Sequence, residues 1–230
     1  VLGFFQNYNL NFMNSVFSSY MDWFHDFNCS LLFGVLVFVS VMMFYLIFNS
    51  FYFKSKKIEY QLGEMLCSLL PTFILVVQMV PSLSLLYYYG LMNLDSGLTV
   101  KIVGHQWYWS YEYSDMEGVE FDSYMKACDD LEVGESRLLE VDNRCIIPLD
   151  VNVRFCITSA DVIHSWAVPS MSIKLDAMSG ILTSFSYSFP LIGVFYGQCS
   201  EICGANHSFM PIALEVTLLD NFKLWCLNLM

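Results

Sequence analysis

Two long runs of apolar residues dominate the first part of the chain. No charged residue occurs within positions 27–53 or within positions 65–94. A helix needs about 20 mostly apolar residues to cross the hydrocarbon core of a bilayer, and each run exceeds that length. The second run contains Pro71 and Pro81, which membrane helices tolerate better than helices of soluble proteins. The pattern therefore predicts a transmembrane helical hairpin over residues 27–94.

The segment that joins the two predicted spans carries the charges that orient them. Residues 54–62 contain Lys54, Lys56 and Lys57, three of the ten basic residues in the chain. Short basic loops stay on the side of the membrane where the protein is made, so both chain ends are predicted in the opposite compartment. Residues 1–26 hold no Arg or Lys and resemble neither a signal peptide nor a transit peptide.

Beyond position 94 the apolar residues alternate with polar ones. This alternation is clear in five short stretches, at 99–103, 138–141, 151–157, 193–198 and 212–218. A period of two is typical of half-buried strands, and many short strands are typical of an antiparallel sandwich or barrel. The sequence therefore predicts an α+β membrane protein whose hairpin precedes a β domain of about 135 residues, an ordinary domain size.

Composition and charge narrow the class of protein further. Hydrophobic residues make up 56% of the chain and charged residues only 14%, which excludes a disordered protein. The net charge is −12, and residues 95–230 contribute 18 acidic against 7 basic side chains. A domain this acidic is unsuited to nucleic acid, whose phosphates require basic side chains. It should instead attract basic partners.

Metal-ligating residue types concentrate in one short segment near the C-terminus. Cys199 and Cys203 are followed by His207 and Met210, and His164 stands alone after an upstream predicted strand. Thiolate and thioether ligands combined with imidazole select copper over magnesium or calcium. Two cysteines could bridge a pair of copper ions, which would let the ions share one electron.

Two other interpretations of the cysteine pair stay open at this point. A pair of cysteines in an exported domain could form a disulfide, or could be half of a structural zinc site. Because zinc sites use Cys and His rather than Met, the nearby Met210 favours copper. His25 and His105 have no Cys or Met neighbours that suggest a site, and are predicted to be structural. The remaining cysteines show no metal-binding spacing: Cys29, Cys67, Cys128, Cys145, Cys156 and Cys226.

Several segments together match a known family. They are Pro81-Ser82-Leu83, Gly104-His105-Gln106-Trp107-Tyr108-Trp109, Glu140-Val141-Asp142-Asn143-Arg144, the segment from Asp161 to Pro169, and the cysteine segment. In these segments, and over nearly its whole length, the chain resembles subunit II of the haem–copper cytochrome c oxidases in its mitochondrial form. The resemblance implies a two-helix hairpin followed by a cupredoxin-like β-barrel. It also implies an inner mitochondrial membrane location, with the basic loop in the matrix and residues 1–26 and 95–230 in the intermembrane space.

The resemblance further implies a metal centre. Two copper ions would form a binuclear centre, CuA, whose ligands carry over to His164, Cys199, Cys203, His207 and Met210. Glu201 would offer copper its backbone carbonyl, and its side chain would help to bind Mg²⁺ at the interface with subunit I. Quinol-oxidising relatives lack the copper ligands, so their presence implies cytochrome c as the electron donor.

Other roles follow from the same resemblance. Trp107 would be the point at which electrons from cytochrome c enter the chain. Glu112, Asp142 and Asp161 would be the acidic residues at which basic cytochrome c docks, because complementary charge raises the association rate. Glu64, at the start of the second span, would lie at the mouth of a proton pathway into subunit I.

The function implied is that of an oxidoreductase subunit in the respiratory chain. It would relay electrons from cytochrome c to haem in subunit I, where oxygen is reduced to water while protons are pumped. Subunit I, other oxidase subunits and membrane lipid would be its partners. The alternative is a membrane-tethered copper-binding or copper-delivery protein without catalytic turnover, which would need the same ligands but neither the Trp107 route nor a partner subunit.

Overall fold

The computed structural model describes residues 15–49, 59–91 and 95–229. The chain divides into two compact units, one formed by residues 20–88 and the other by residues 1–19 together with 89–230. The three lysines of the predicted basic loop lie outside the described residues, as does most of the segment predicted to precede the first span.

Two long helices confirm the predicted pair of apolar helices. Helix α1 is Val16–Asn49 and helix α2 is Gln61–Leu91, and each is long and apolar enough to cross a membrane. None of the most apolar stretch of either helix is buried by the protein itself, as expected of surfaces that face lipid or partner subunits. Helix α1 begins well before position 27, and α2 continues through Pro71 and Pro81.

The described residues from 95 onward form ten strands and a short C-terminal helix. The first five strands are β1 Leu98–His105, β2 Tyr108–Tyr113, β3 Glu120–Ser123, β4 Cys145–Pro148 and β5 Asn152–Ser159. The others are β6 His164–Val168, β7 Ile173–Ala177, β8 Thr183–Ser188, β9 Gly193–Gln198 and β10 Pro211–Thr217, followed by helix α3 Leu219–Leu229. The predicted strands at 99–103, 151–157, 193–198 and 212–218 are thereby confirmed to within a few positions.

The strands form three sheets, and the prediction of a purely antiparallel domain is wrong in one respect. The strand orders are β3-β2-β1-β5-β8, β4-β10-β9 and β6-β7. Strand β1 pairs with β5 in parallel, and β4 pairs with β10 in parallel. Long connections separate the partners in both pairs, and these return the chain to the same end of the sheet, as parallel pairing requires. The sheets are therefore mixed.

The predicted strand at 138–141 is also wrong. The backbone N–H groups of Leu139 and Glu140 both donate to the Ser136 carbonyl, which makes a turn, and Leu138 has a φ of 69°. Extended backbone cannot pass through that conformation. Only Val141 pairs, in an isolated bridge with Met125.

Large aromatic side chains fill the core of the β domain. Trp109, Tyr111 and Trp166 are fully buried. The rings of Phe155 on β5 and Trp166 on β6 stack with centroids 5.4 Å apart. Burying one large apolar side chain contributes about 1.5–3 kcal/mol to folding stability. This core therefore stabilises the strands from which the loops at its edge extend.

A close approach of two strands places the cysteine segment next to His164. A Cβ added at Gly197 on β9 would lie 1.9 Å from the Ala167 carbonyl oxygen on β6, so only glycine allows these backbones to meet. Just beyond this contact, the Ser200 N–H donates to the Ser165 carbonyl at 3.0 Å. The end of β9 is therefore fixed beside the start of β6.

Candidate metal centre

The five side chains predicted to bind copper come from two parts of the β domain. His164 is the first residue of β6, and the other four lie on the connection between β9 and β10. The Cys199 N–H donates to the Met210 carbonyl at 3.0 Å, which closes this connection at its base. Cys203 and His207 therefore lie on a loop whose two ends are joined by a backbone hydrogen bond.

The nitrogen and sulfur atoms of this cluster lie close together. His164 Nδ1 is 3.8 Å from Cys199 Sγ, the two sulfurs are 3.9 Å apart, and Cys203 Sγ is 3.5 Å from His207 Nδ1. The ligand atoms of His164, Cys199 and Cys203 all lie within 4.8 Å of one another. Each sulfur therefore has one imidazole beside it, and the two halves of the cluster are alike.

Four of the five predicted ligand side chains are buried, His207 is half-buried, and both thiols are free. Relative exposure is 0% for His164, 6% for Cys199, 3% for Cys203 and 1% for Met210. The sulfur separation of 3.9 Å far exceeds the roughly 2.05 Å of a disulfide bond. Two thiols, two imidazoles and a buried thioether residue form a soft donor set, and this chemistry fits copper better than the zinc alternative.

The environment of the two thiols drives their pKa values apart. Burial raises the pKa of the Cys199 thiol, but hydrogen bonds, above all the one with His164, outweigh burial and lower that pKa to about 6. Burial and the nearby charge of Cys199 raise the pKa of Cys203 to about 12. One thiolate therefore forms readily while the second proton is held until a cation replaces it, since metal ligands must be deprotonated.

Asp161 holds His164 in place, a role that sequence reasoning did not assign. Its Oδ1 lies 2.8 Å from His164 Nε2, and its Oδ2 accepts the Gln106 backbone N–H at 2.7 Å. Burial raises the pKa of the Asp161 carboxyl, but these hydrogen bonds outweigh burial and hold the pKa below its usual value. Such a partner fixes ring orientation and leaves Nδ1 directed at Cys199. The spacing of three residues between Asp161 and His164 could have suggested the contact.

Gly104 makes room for the His164 ring. A Cβ added at Gly104 on β1 would lie 2.9 Å from His164 Cδ2, so a larger residue would displace the imidazole. The ring also meets Trp109, the residue paired with Gly104 across β1 and β2, edge-on with centroids 5.9 Å apart. The imidazole is thus confined by backbone and by an aromatic side chain.

Trp107 and Glu201 both lie next to the cluster, and each contact involves a backbone carbonyl. The half-buried Trp107 donates its indole N–H to the Cys203 carbonyl at 3.2 Å, and the peptide bond before it is cis. The Glu201 carbonyl lies 3.4 Å from Cys199 Sγ, while its side chain is only half-buried. Of the two, only Trp107 contacts the cluster through its side chain, and the roles that the resemblance implies for both residues stay predictions.

The other predicted acidic residues lie apart from the cluster. Glu112 forms an ion pair with Lys101 at 2.6 Å. Asp142 accepts the backbone N–H groups of Tyr124 and Asn143, each at 2.7 Å. Glu64 is exposed in the first turn of α2, where a negative charge is favourable.

The two histidines predicted to be structural are not in the cluster. His105 stacks on Tyr108, with ring centroids 4.5 Å apart. His25 lies on α1, where Nδ1 is 3.6 Å from the Asp26 carboxylate. Among the described residues, the one group of metal-ligating side chains is that of His164, Cys199 and Cys203.

A buried ion pair that sequence reasoning missed supports the strand leading into the cluster. Glu140 is 1% exposed, and it accepts hydrogen bonds from Arg144 at 2.9 Å and from the Tyr196 hydroxyl at 2.6 Å. Tyr196 lies on β9, three positions before Cys199. Burial raises the pKa of Glu140, but the hydrogen bonds with Arg144 and Tyr196 outweigh burial and lower it.

Comparison with known proteins gives a consistent result. Two family models match, "Cytochrome C oxidase subunit II, periplasmic domain" over residues 98–217 and "Cytochrome C oxidase subunit II, transmembrane domain" over residues 6–85. The chain is 78% identical over 227 residues to cytochrome c oxidase subunit 2 of Ascaris suum, and equally identical to that of Caenorhabditis elegans. Both alignments cover 99% of this chain and 98% of the relative.

A solved structure supports the same assignment. The crystal structure of the periplasmic domain of subunit II of cytochrome oxidase (CoxB) of Bradyrhizobium japonicum is 44% identical, with a TM-score of 0.56. That match covers 60% of this chain and 96% of the bacterial domain. The β domain is therefore cupredoxin-like, as the resemblance implies. The chain belongs to the cytochrome c oxidase subunit II family, whose members are part of an oxidoreductase complex.

Proposed function

We propose that this chain accepts electrons from cytochrome c at a binuclear copper centre, CuA, and passes them to haem in subunit I. There oxygen would be reduced to water while protons are pumped. The convergence of two buried thiols and two imidazoles, in a chain of this family, carries the proposal. His164, Cys199, Cys203, His207, Met210 and the Glu201 carbonyl would hold two copper ions. The bound pair would accept and release one electron at a time.

The protein's part is to hold the ligands in one arrangement before and after transfer. His164 is fixed by Asp161 and confined by Gly104, and Cys199 is fixed through its backbone N–H. Ligands held in this way move little when the charge changes, so little energy is needed to rearrange them. Burial excludes water from the sulfurs and protects the thiolates from oxidation.

Trp107 is proposed as the residue at which electrons enter. It is half-buried, so one edge of the indole can face a docked protein, and its N–H bonds to the backbone of Cys203. The β domain carries 18 acidic and 7 basic residues over positions 95–230, which suits a basic donor. Glu112, Asp142 and Asp161 are the proposed docking acids, and the Asp161 side chain keeps 34% exposure while it bonds His164.

Two further assignments belong to the contacts with subunit I. The half-exposed side chain of Glu201 would help to bind Mg²⁺ at that interface, since its carboxylate is free to turn outward while its carbonyl faces the cluster. Glu64 would lie at the mouth of a proton pathway, on the side of the membrane that the basic loop defines. In the inner mitochondrial membrane that side is the matrix, which leaves residues 1–26 and 95–230 in the intermembrane space.

A copper-delivery protein without turnover is the competing proposal. Such a protein must expose its metal so that a receiving protein can take it. Here His164, Cys199, Cys203 and Met210 are each at most 6% exposed, which favours a centre that retains its copper. Counting the metal separates the two, because a relay holds two copper ions firmly whereas a carrier needs only one.

The decisive variant is Cys199→Ser in the purified oxidase. We expect loss of the seven-line mixed-valence copper signal in electron paramagnetic resonance, of the near-infrared absorption, and of cytochrome c oxidation. The haem of subunit I should still be reduced by a small artificial reductant. Cys156→Ser, at a half-buried cysteine on β5, is the matched control and should leave all three readouts unchanged. Full cytochrome c oxidation by Cys199→Ser would refute the proposal.

A further inference from the structure

Gln106 is the residue that touches both halves of the metal-ligand cluster. Its backbone N–H donates to Asp161 Oδ2 at 2.7 Å, and Asp161 in turn lies 2.8 Å from His164 Nε2. Its side-chain Nε2 donates to the Cys203 carbonyl, also at 2.7 Å. One residue between β1 and β2 therefore links the His164 side of the cluster to the Cys203 side.

The Cys203 carbonyl accepts this hydrogen bond and one other. Gln106 donates to it at 2.7 Å and the Trp107 indole at 3.2 Å. A carbonyl oxygen has two lone pairs, so these two donors complete its hydrogen bonding. Two donors from different directions also fix the plane of the peptide that follows Cys203, and with it the direction in which Cys203 presents its sulfur.

The backbone after Cys203 is shaped for this approach. Gly204 has a φ of 119°, a conformation that residues with a Cβ rarely adopt. A Cβ there would lie 3.1 Å from Gln106 Nε2 and 3.2 Å from Trp107 Cζ2. The absence of a side chain at Gly204 therefore leaves the space that the Gln106 amide and the indole occupy.

An exposed glutamine is ordinarily a solvated surface residue, and at this place it could also contact a docked partner. Gln106 is exposed, yet its backbone N–H donates to the carboxylate that holds His164 and its side-chain amide donates to the Cys203 carbonyl. The shorter of the two hydrogen bonds to Cys203 is the one from Gln106. Geometry therefore favours a role toward the cluster over a role in docking.

We infer that Gln106 is a positioning residue that holds the Cys203 peptide, and so sets how firmly the centre retains copper and what its spectrum is. This inference rests on the proposed copper relay. It assigns to the Gln106 side chain a function that its neighbour Trp107 does not supply alone. Residues that orient ligands in this way commonly change metal affinity by about 10- to 100-fold when they are replaced.

The test is Gln106→Leu in the purified oxidase, with Gln198→Leu as the matched control. Gln198 is an exposed glutamine on β9, immediately before Cys199, so its replacement removes an amide adjacent in sequence to a predicted ligand. For Gln106→Leu we expect copper loss to an excess of chelator to be about 10-fold faster. We also expect a changed copper hyperfine splitting and a shifted reduction potential, with KM for cytochrome c within about twofold of the parent. Gln198→Leu should match the parent in every measurement.

The possible outcomes separate the inference from its rivals. Unchanged copper retention and spectrum in Gln106→Leu would overturn it, as would a change in KM alone, which would make Gln106 a docking residue. If Gln106→Leu does not assemble with haem-containing subunit I, Gln106→Asn serves in its place. Its shorter side chain should give a smaller change of the same kind. A parent oxidase without the mixed-valence signal would instead refute the copper relay itself.

Discussion

The two long helices and the metal centre differ in the sequence separation of the residues that contact one another. In α1 and α2 each backbone hydrogen bond is made within a few residues, and the apolar side chains face away from the protein. In the metal centre, local contacts such as that of Cys203 with His207 are joined by contacts between residues far apart in sequence, such as Gln106 with Cys203 and His164 with Cys199. The comparison shows that a local pattern can specify a membrane helix, whereas the centre depends on the whole β fold.

The largest expected effect comes from replacing a glycine of the β domain, in comparison with a glycine of α1. Gly197→Ala would place a Cβ 1.9 Å from the Ala167 carbonyl oxygen, so β6 and β9 would have to separate. We expect a loss of at least about 3 kcal/mol in stability and failure to retain copper, because overpacking of this degree cannot relax locally. Gly34→Ala on α1, where nothing lies within 4 Å of the new Cβ, should be neutral or slightly stabilising. Thermal inactivation and copper content of the purified oxidase would measure both variants, and normal stability of Gly197→Ala would contradict the close approach.

Asp161→Asn sharpens the contrast within the centre. The substitution keeps the size of the side chain but removes the charge that faces His164 Nε2. We expect copper retention to fall by about 10- to 100-fold, because the orienting partner of a ligand is weakened. Equilibrium competition with a chelator measures the effect. Asp176→Asn is the control, because Asp176 is an exposed acid on β7, and equal retention in both variants would exclude the orienting role.

Glu140→Gln gives the smallest effect, and it depends on pH. The pKa of Glu140 in the folded protein lies below its ordinary value of 4.5, so its stabilisation is fully present above pH 4.5. That stabilisation is lost as pH falls through the lowered pKa. We expect Glu140→Gln to cost about 1–2 kcal/mol at neutral pH, because the charged hydrogen bond with Arg144 is removed. The difference should shrink below pH 4.5.

Hydrogen–deuterium exchange of residues 125–144 in the purified oxidase, followed from neutral pH to about pH 4, would check this dependence. The exposed Glu120 on β3 provides the control, since Glu120→Gln should stay within about 0.5 kcal/mol of the parent throughout. A penalty for Glu140→Gln that grows as the pH falls would contradict the sign of the effect.

Sequence alone predicts the parts of this protein that depend on local pattern. The apolar runs predict both helices, and the alternation predicts four of the ten strands in the described residues. The spacing of Cys, His and Met residues predicts the cluster. His164 is assigned to it by the family resemblance as much as by its position in the sequence. These features share one property, which is that neighbouring residues determine them.

The parts that sequence does not predict depend on long-range contacts. Parallel pairing of β1 with β5 requires a connection whose path the strands themselves do not specify. The turn at 138–141 forms because Glu140, rather than an apolar residue, points inward to meet Arg144 and Tyr196. The bond of Asp161 to His164 is an exception, because it spans only three residues and went unassigned since the family resemblance indicates a docking role for Asp161.

The base of the cysteine loop has a consequence for how the centre is filled. The backbone pair between Cys199 and Met210 closes the loop, and the His164 ring behind it has no exposed surface. Because Cys199 and Cys203 are at most 6% exposed, we expect an incoming ion to reach both sulfurs faster when this loop opens locally. The same burial would slow the release of a bound ion.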